Sequence, residues 1–260
     1  MKKILKFIEK LKKKEDEFDI EKYIYQSYKN KSKMPVIFYF EELPICEKVK
    51  IKEILEDGEK ILLEPAKKLL KALSEVKEIF FRVQHGDKTL FFKSDVIYGS
   101  EEGIEIEYPQ PLEEGRVLRL YLRVRPKWNE PIIVDIFPNK SEDENNQVYL
   151  RGRALDISET GIGIFVSLDE EIEKDPDKKK FYENLDKEKI IKMEIKLPKI
   201  DTVTLIGKIV RCKNEKKGKI LGVYFLNIDT CIDAREKIFR YIFKRQKEIL
   251  KYLTSEEEEF

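Results

Sequence analysis

The strongest constraint on the fold lies in the second half of the chain, where apolar residues recur at every second position. Val203, Leu205, Gly207 and Ile209 keep that period, and so do Leu221, Val223 and Phe225. A period of two puts alternate side chains on one face, the pattern of a strand with one buried side. Runs at 132–136, 148–157, 162–166, 190–197, 202–212 and 220–228 read as six such strands separated by turns. Short strands in this number suggest a small barrel. Two charged inserts, 139–147 and 169–189, read as surface loops, the second holding one helical turn. Beyond the strands, Ile238, Phe239, Ile242, Ile249, Leu250 and Leu253 form an apolar stripe at helical spacing. Thr230-Cys-Ile-Asp233 ahead of it resembles a capping box. This helix is expected to pack on the barrel, and the acidic tail after it to fray.

The first half carries a similar strand pattern. Runs at 36–40, 49–55, 60–63, 79–83, 89–96 and 103–107 are short and rich in β-formers. Asp57-Gly58 and His85-Gly86-Asp87 mark hairpin turns, and 66–76 reads as one helix. Tyr108-Pro-Gln-Pro111 is expected to stop regular pairing. Residues 2–30 read as helical, with Ile4, Phe7, Ile8 and Leu11 set among lysines and a weaker segment after Asp19. A basic amphipathic helix can dock on its own domain or a partner, or make weak contact with an anionic membrane surface. The expected fold class is mainly β: two small β-barrels in tandem with helices at both ends. The expected organisation is a helical segment at 1–32, a barrel at 33–110, a linker at 111–126, a second barrel with its closing helix at 127–253, and an acidic tail at 254–260.

Composition narrows the function. The 260 residues hold 52 Lys and Arg against 51 Asp and Glu, a net charge of +1. That balance gives no general electrostatic reason to bind nucleic acid. Abundant Lys and Glu suit surface ion-pair networks of the thermophile type. Cys46, Cys212 and Cys231 have no metal-site spacing, and one histidine, His85, argues against His-cluster metal sites and a Ser-His-Asp triad. No uncharged run exceeds nine residues, too short for a membrane-spanning helix, and Lys6 interrupts any signal-peptide core. A cytoplasmic protein is expected.

One stretch stands out: Arg151-Gly-Arg-Ala-Leu-Asp156-Ile-Ser158-Glu-Thr-Gly161-Ile-Gly163. Alone it is a β-turn, since Asp, Ser and Gly are ordinary turn residues. Upstream lies Arg116-Val-Leu-Arg119-Leu-Tyr-Leu-Arg123-Val-Arg125. Arg119 and Arg123 share a face whether that segment is helix or strand. Guanidinium groups bind phosphate and donate to guanine O6 and N7. The Asp156 carboxylate accepts from the N1–H and N2–H₂ edge of guanine, and the Ser158 hydroxyl can donate to a phosphate oxygen. Gly161 lets backbone approach a ligand closely. The set suits an anionic guanine nucleotide. Nothing in it resembles an activated base or nucleophile, so no catalytic residue and no metal is assigned.

Arg119-x-x-x-Arg123 followed by Asp156-x-Ser158-x-x-Gly161 resembles the signature of the PilZ family. Lys219 to Asn227 and Ile238 to Gln246 look like its last strand and closing helix, and the preceding β domain looks like that of its two-domain, flagellar-brake (YcgR-like) members. The resemblance implies a non-enzymatic receptor for cyclic di-GMP. The ligand would sit on the barrel exterior, held by Arg119, Arg123, Asp156, Ser158 and Gly161. The two domains would reorient on binding and signal to a protein partner, with the flagellar motor the family's example. Leu118, where related proteins often carry another arginine, points to one ligand per site. Two alternatives stand beside this reading. One is a ligand-independent PilZ-like adaptor. The other is a single-stranded nucleic-acid-binding barrel using the arginines and aromatics of 119–128.

Overall fold

The alternating runs fold as strands, which make up 49% of the described residues, so the architecture is mainly β. The computed structural model describes residues 19–55, 59–86, 88–112, 122–139 and 149–255. Contacts divide the chain into two compact units: residues 1–40 with 45–118, and residues 41–44 with 119–260.

The first unit holds β1 (Met34–Phe40), β2 (Leu43–Val49), β3 (Ile51–Ile54), β4 (Lys60–Leu63), β5 (Glu78–His85), β6 (Lys88–Ser100), β7 (Gly103–Glu107) and β8 (Gln110–Pro111). They pair in the order β2-β1-β5-β6-β7-β4-β3, with β8 attached to β6. The sheet curls into a half-barrel whose pairing path ends at β2 and β3. β6 is long enough to serve both halves, and a register shift between Val96 and Tyr98 bends it from β5 toward β7. Val36, Phe38, Phe81, Ile61, Leu63, Ile104 and Ile106 are buried along it. Each such side chain contributes about 1.5–3 kcal/mol by leaving water.

Local departures from the sequence reading have physical causes. The strand expected at 49–55 is preceded by another, β2, because Glu41 (φ 49°) and Glu42 (φ 68°) make a tight turn without Asn or Gly. Gln110 and Pro111 do not end pairing but form a short bridge to Phe92 and Lys93. The helix α1 (Ile20–Lys29) is capped by Asp19, whose carboxylate accepts from Lys22 N–H at 3.0 Å. The helix α2 spans only Lys67–Ala72, shorter than the expected 66–76. Its first residue offers no side-chain cap. The distant Glu47 carboxylate accepts from the Lys68 and Leu69 N–H groups at 3.2 and 2.9 Å instead. The Ile4–Leu11 stripe, Asp57-Gly58, most of the 139–147 insert and the last five residues lie outside the described residues.

The second unit holds β9 (Arg123–Val124), β10 (Ile133–Pro138), β11 (Leu150–Ser158), β12 (Gly161–Ser167), β13 (Ile190–Leu197), β14 (Asp201–Glu215) and β15 (Gly218–Phe225). The order β10-β13-β14-β15-β12-β11 is closed by β10–β11 pairing, giving a six-stranded barrel. Ile136, Ile157, Ile164, Met193, Ile195, Leu205, Ile209, Leu221 and Phe225 fill it. The first half of β11 closes the barrel against β10, and its last two residues pair with β9.

The 169–189 insert is not a surface loop. It forms α3 (Glu170–Lys174) and α4 (Pro176–Glu183), capped by Asp169 and Asp175. Ile172, Phe181, Tyr182 and Leu185 are buried, apolar anchors too sparse among charges to read as an amphipathic pattern. The Lys219 ammonium donates to the carbonyls of Tyr182, Glu183 and Leu185 at 3.0, 3.1 and 2.9 Å, tying the end of α4 to β15. The closing helix α5 (Ile232–Thr254) packs on β9, β11, β13 and β14. It has no capping box: Cys231 is the cap, its side chain accepts from Asn227 Nδ2 and from no helix N–H, and the Thr230 hydroxyl donates to the Asn227 carbonyl. Ile238, Ile242, Ile249 and Leu253 are buried as expected, while Phe239 stays 39% exposed. Tyr241 and Arg245 join the buried face. Arg245 Nε donates to the Arg125 carbonyl at 3.1 Å. Burial pushes the Tyr241 phenol up to about 12, against a partial opposing pull from the Arg245 charge. No described helix is long and apolar enough to cross a membrane.

Candidate functional site

β9 places the first site residue. It pairs antiparallel with the end of β11, setting Arg123 opposite Ser158 and Val124 opposite Ile157. Ile157 and Val124 are buried, so Asp156 and Ser158 face the other side of the strand. Arg123 Nη1 lies 3.1 Å from Asp156 Oδ1. The carboxylate is about one-fifth exposed and the guanidinium about one-third. Both groups therefore remain reachable from solvent while neutralising one another.

Ser158 and Gly161 bracket the two-residue turn Glu159-Thr160. The Ser158 hydroxyl is buried and donates to the Gly161 carbonyl at 3.2 Å. That bond commits its proton to the turn and leaves the oxygen as an acceptor. Gly161 is not a left-handed turn residue: it begins β12, and a Cβ there would stand 2.5 Å from the Val223 carbonyl oxygen. Its glycine serves the close approach of β12 to β15. Arg119 lies outside the described residues.

Register reveals the rest. Asp156 pairs with Gly163, Gly163 with Gly222, and Gly222 with Arg211. One row on the barrel's outer face thus reads acid, glycine, glycine, arginine across four strands. At about 4.8 Å per strand the row spans about 14 Å. The adjacent row brings Tyr224 beside Gly161 and Lys208 beside Tyr224. A Cβ on Gly163 would meet Asp156 Oδ2 at 2.8 Å, so the missing side chain makes room for the carboxylate to lie over β12. The result is a groove of about 270 Å³. Arg123, Asp156, Ser158 and Gly161 line it on one side, Arg211, Val210 and Tyr224 on the other.

Four of the five site residues expected from sequence therefore meet in one groove. Sequence reasoning missed Gly163, Arg211, Gly222 and Tyr224. Their signal was present: glycines at outward positions of β12 and β15, where solubility calls for a polar side chain. The register that aligns them was not. Arg151 and Arg153 serve elsewhere. Arg151 donates to the buried Asp135 at 2.7 Å, and Arg153 stacks on Trp128 at 4.2 Å. The Asp135 carboxyl is raised by burial, but hydrogen bonds from Arg151 and Lys196 outweigh that and hold it below its usual range. Among the described residues no cluster of His, Cys, Asp or Glu is placed to hold a metal ion.

Comparison with known proteins places this groove in a family. Residues 132–244 match the family described as "PilZ domain". The barrel is a PilZ domain. It contains Asp156, Ser158, Gly161, Gly163, Arg211 and Gly222, and Arg119 and Arg123 precede it. An uncharacterized protein of Aquifex aeolicus is 25% identical over 160 residues, 60% of this chain. The chain spans 64% of the length of that relative. Among solved structures, Escherichia coli YcgR in complex with c-di-GMP is 13% identical, covering 89% of this chain and 91% of that one, with a TM-score of 0.38. The Bacillus subtilis inhibitor of motility MotI is also 13% identical, covering 83% and 97%, with a TM-score of 0.40. The K. pneumonia MrkH–c-di-GMP complex is 10% identical, covering 88% and 93%, with a TM-score of 0.41.

Proposed function

We propose that the chain is a receptor for cyclic di-GMP that carries out no catalysis. The observation that carries this reading is the convergence of Arg123, Asp156, Ser158 and Gly161 in one groove on the outside of a PilZ domain. The first lies more than thirty positions upstream of the others, and strand pairing brings it to them. Arg123 has to exchange one partner for another. A ligand phosphate competes with Asp156 for its guanidinium, and the carboxylate so released accepts from the guanine Watson–Crick edge. Arg119, four residues before Arg123, supplies the second guanidinium of the clasp. The Ser158 hydroxyl holds the turn and can accept from the ligand. An anion that pairs with both arginines changes the arrangement of the two domains, and that change is the signal offered to a protein partner. The regulated process belongs to the same proposal: motility, through a flagellar partner, in the cytoplasm.

Titration calorimetry of the full chain with cyclic di-GMP tests the reading. Saturable binding is expected, with affinity lowered about tenfold to a hundredfold in Arg123→Ala, since a charge-assisted contact to phosphate is worth about 1.5–3 kcal/mol. Absence of binding at high micromolar ligand overturns it.

A further inference from the structure

The closing helix α5 buries one face and leaves a second apolar stripe open. Ile238, Ile242, Ile249 and Leu253 are on the buried face. A second row, Ile232, Glu236, Phe239, Phe243, Gln246 and Leu250, lies about 100° further round the helix. Ile232 is 68% exposed and Phe243 57%. Single exposed apolar residues are ordinary on a surface, but a continuous row of them marks an interaction site. Steps along this row alternate four, three, four, three and four residues, the spacing of a seam at which one helix packs against another. The helix's own cations cover the two rings only in part. The Arg235 guanidinium lies 5.7 Å from the centre of Phe239, and the Lys247 ammonium 4.6 Å from that of Phe243.

Charge along the outer flank of this seam selects the occupant. Asp233 stands at the N-terminal end, and Arg240, Lys244, Lys247 and Lys251 follow. Asp233 pairs with Lys237, yet its side chain stays 80% exposed. The lysine-rich run at 2–14 of the same chain would meet like charge on this flank. A parallel second copy would set cations against cations. An antiparallel copy instead sets Asp233 beside Lys247 and Lys251 of the partner subunit. We propose that α5 is the two-fold interface of a homodimer, with the two helices antiparallel across this seam. Ile232 then meets Leu250 of the partner subunit, and Phe239 meets Phe243 of the partner subunit. Such a pairing is self-complementary, as two-fold symmetry requires. Glu236 meets Gln246 of the partner subunit, and this polar layer fixes the register. Arg240, nearest the axis, has Glu236 one turn before it as counter-charge. The seam is about 27 Å long and about 10 Å wide, so it buries less than the roughly 1,200 Å² of a standard interface and gives a reversible dimer. It shares no residue with the nucleotide groove, so the dimer and the receptor reading stand or fall separately.

Sedimentation velocity of the full chain, from about 5 to about 500 µM to suit an interface of this size, tests the dimer, with thermal melting alongside. The mean mass is expected to climb from 31.0 kDa toward twice that value. Phe243→Glu changes an exposed position, so the melting temperature should hold while association weakens about tenfold or more. Lys247→Glu should weaken it as well, by setting like charge against Asp233 of the partner subunit. Adding Asp233→Lys to Lys247→Glu should restore association, since the swapped charges again face each other. A chain that stays at 31.0 kDa throughout overturns the dimer and leaves the stripe to a different partner. A dimer that survives Phe243→Glu places the interface elsewhere and overturns it too. A double swap that fails to restore association overturns the antiparallel arrangement.

Discussion

The curled sheet and the closed barrel use glycine in different ways. In the curled sheet Gly86 sits at the β5–β6 turn with φ +57°, a conformation that side chains resist, in open space. In the barrel every described glycine is a strand residue with no such φ. A Cβ on Gly152 would meet Ile164 at 2.5 Å, and one on Gly207 would meet Val223 at 2.4 Å and Met193 at 2.6 Å. Six strands enclose little volume, so closure forces backbone and side chains together where an open sheet can yield. The same closure fixes the register that lines up Asp156, Gly163, Gly222 and Arg211. The curled sheet is crowded at two glycines as well, since a Cβ on Gly99 would stand 2.2 Å from Leu73 Cδ1 and one on Gly103 2.8 Å from the Leu63 carbonyl oxygen, so what closure adds is the registered outer surface.

The sharpest way to break this comparison is Gly207→Val. Overpacking a closed interior costs about 3 kcal/mol or more. Calorimetry should show the barrel's transition falling by several degrees. A barrel that keeps its melting temperature would mean the interior yields as an open sheet does. Titration gives a second, somewhat smaller contrast. The Tyr241 phenol is held at about 12 against an ordinary 10, so its folded-state pKa is raised. Stability from it is complete below pH 10 and is lost as pH rises toward 12, by about 2–3 kcal/mol. Urea midpoints across pH 9 to 12 should fall, and Tyr241→Phe should flatten the decline. A decline unchanged in that variant places the sensitivity in other tyrosines, such as Tyr23 and Tyr108 of the first unit, both also raised chiefly by burial. Lys219→Met removes three carbonyl contacts at the end of α4 and is expected to cost about 1–2 kcal/mol. Amide exchange in 176–185 should rise more than in the strands, and equal rises would deny that Lys219 is a local latch. The smallest effect belongs to the turn. Gly86→Ala should cost about 1 kcal/mol, through backbone conformation alone.

Much of the barrel was legible because its strands carry strict alternation. The run at 190–197 became β13 to the residue, and the six-strand count held. β2 escaped because its turn is Glu41-Glu42, residues that carry no turn signal although both adopt positive φ. The helices of the insert escaped because four buried residues are scattered through a charged stretch. Thr230 misled because the spacing of a capping box says nothing about where a hydroxyl points. It points back to Asn227. At the site, Arg123, Asp156, Ser158 and Gly161 were readable as a spaced motif. Gly161 was expected to approach the ligand, and only the structure shows that its lack of a side chain also makes room for the Val223 carbonyl of β15.

What the sequence determined by itself was local: which runs alternate, which residue types could hold a guanine nucleotide, and that two motifs belong to one family. Those depend on neighbours along the chain and on side-chain chemistry. What only the tertiary structure decided was the groove's second wall. Arg211 and Gly222 join Asp156 through two hairpins and two interstrand registers. Each register is set by burial of the opposite face, a property of the closed barrel and of no single strand.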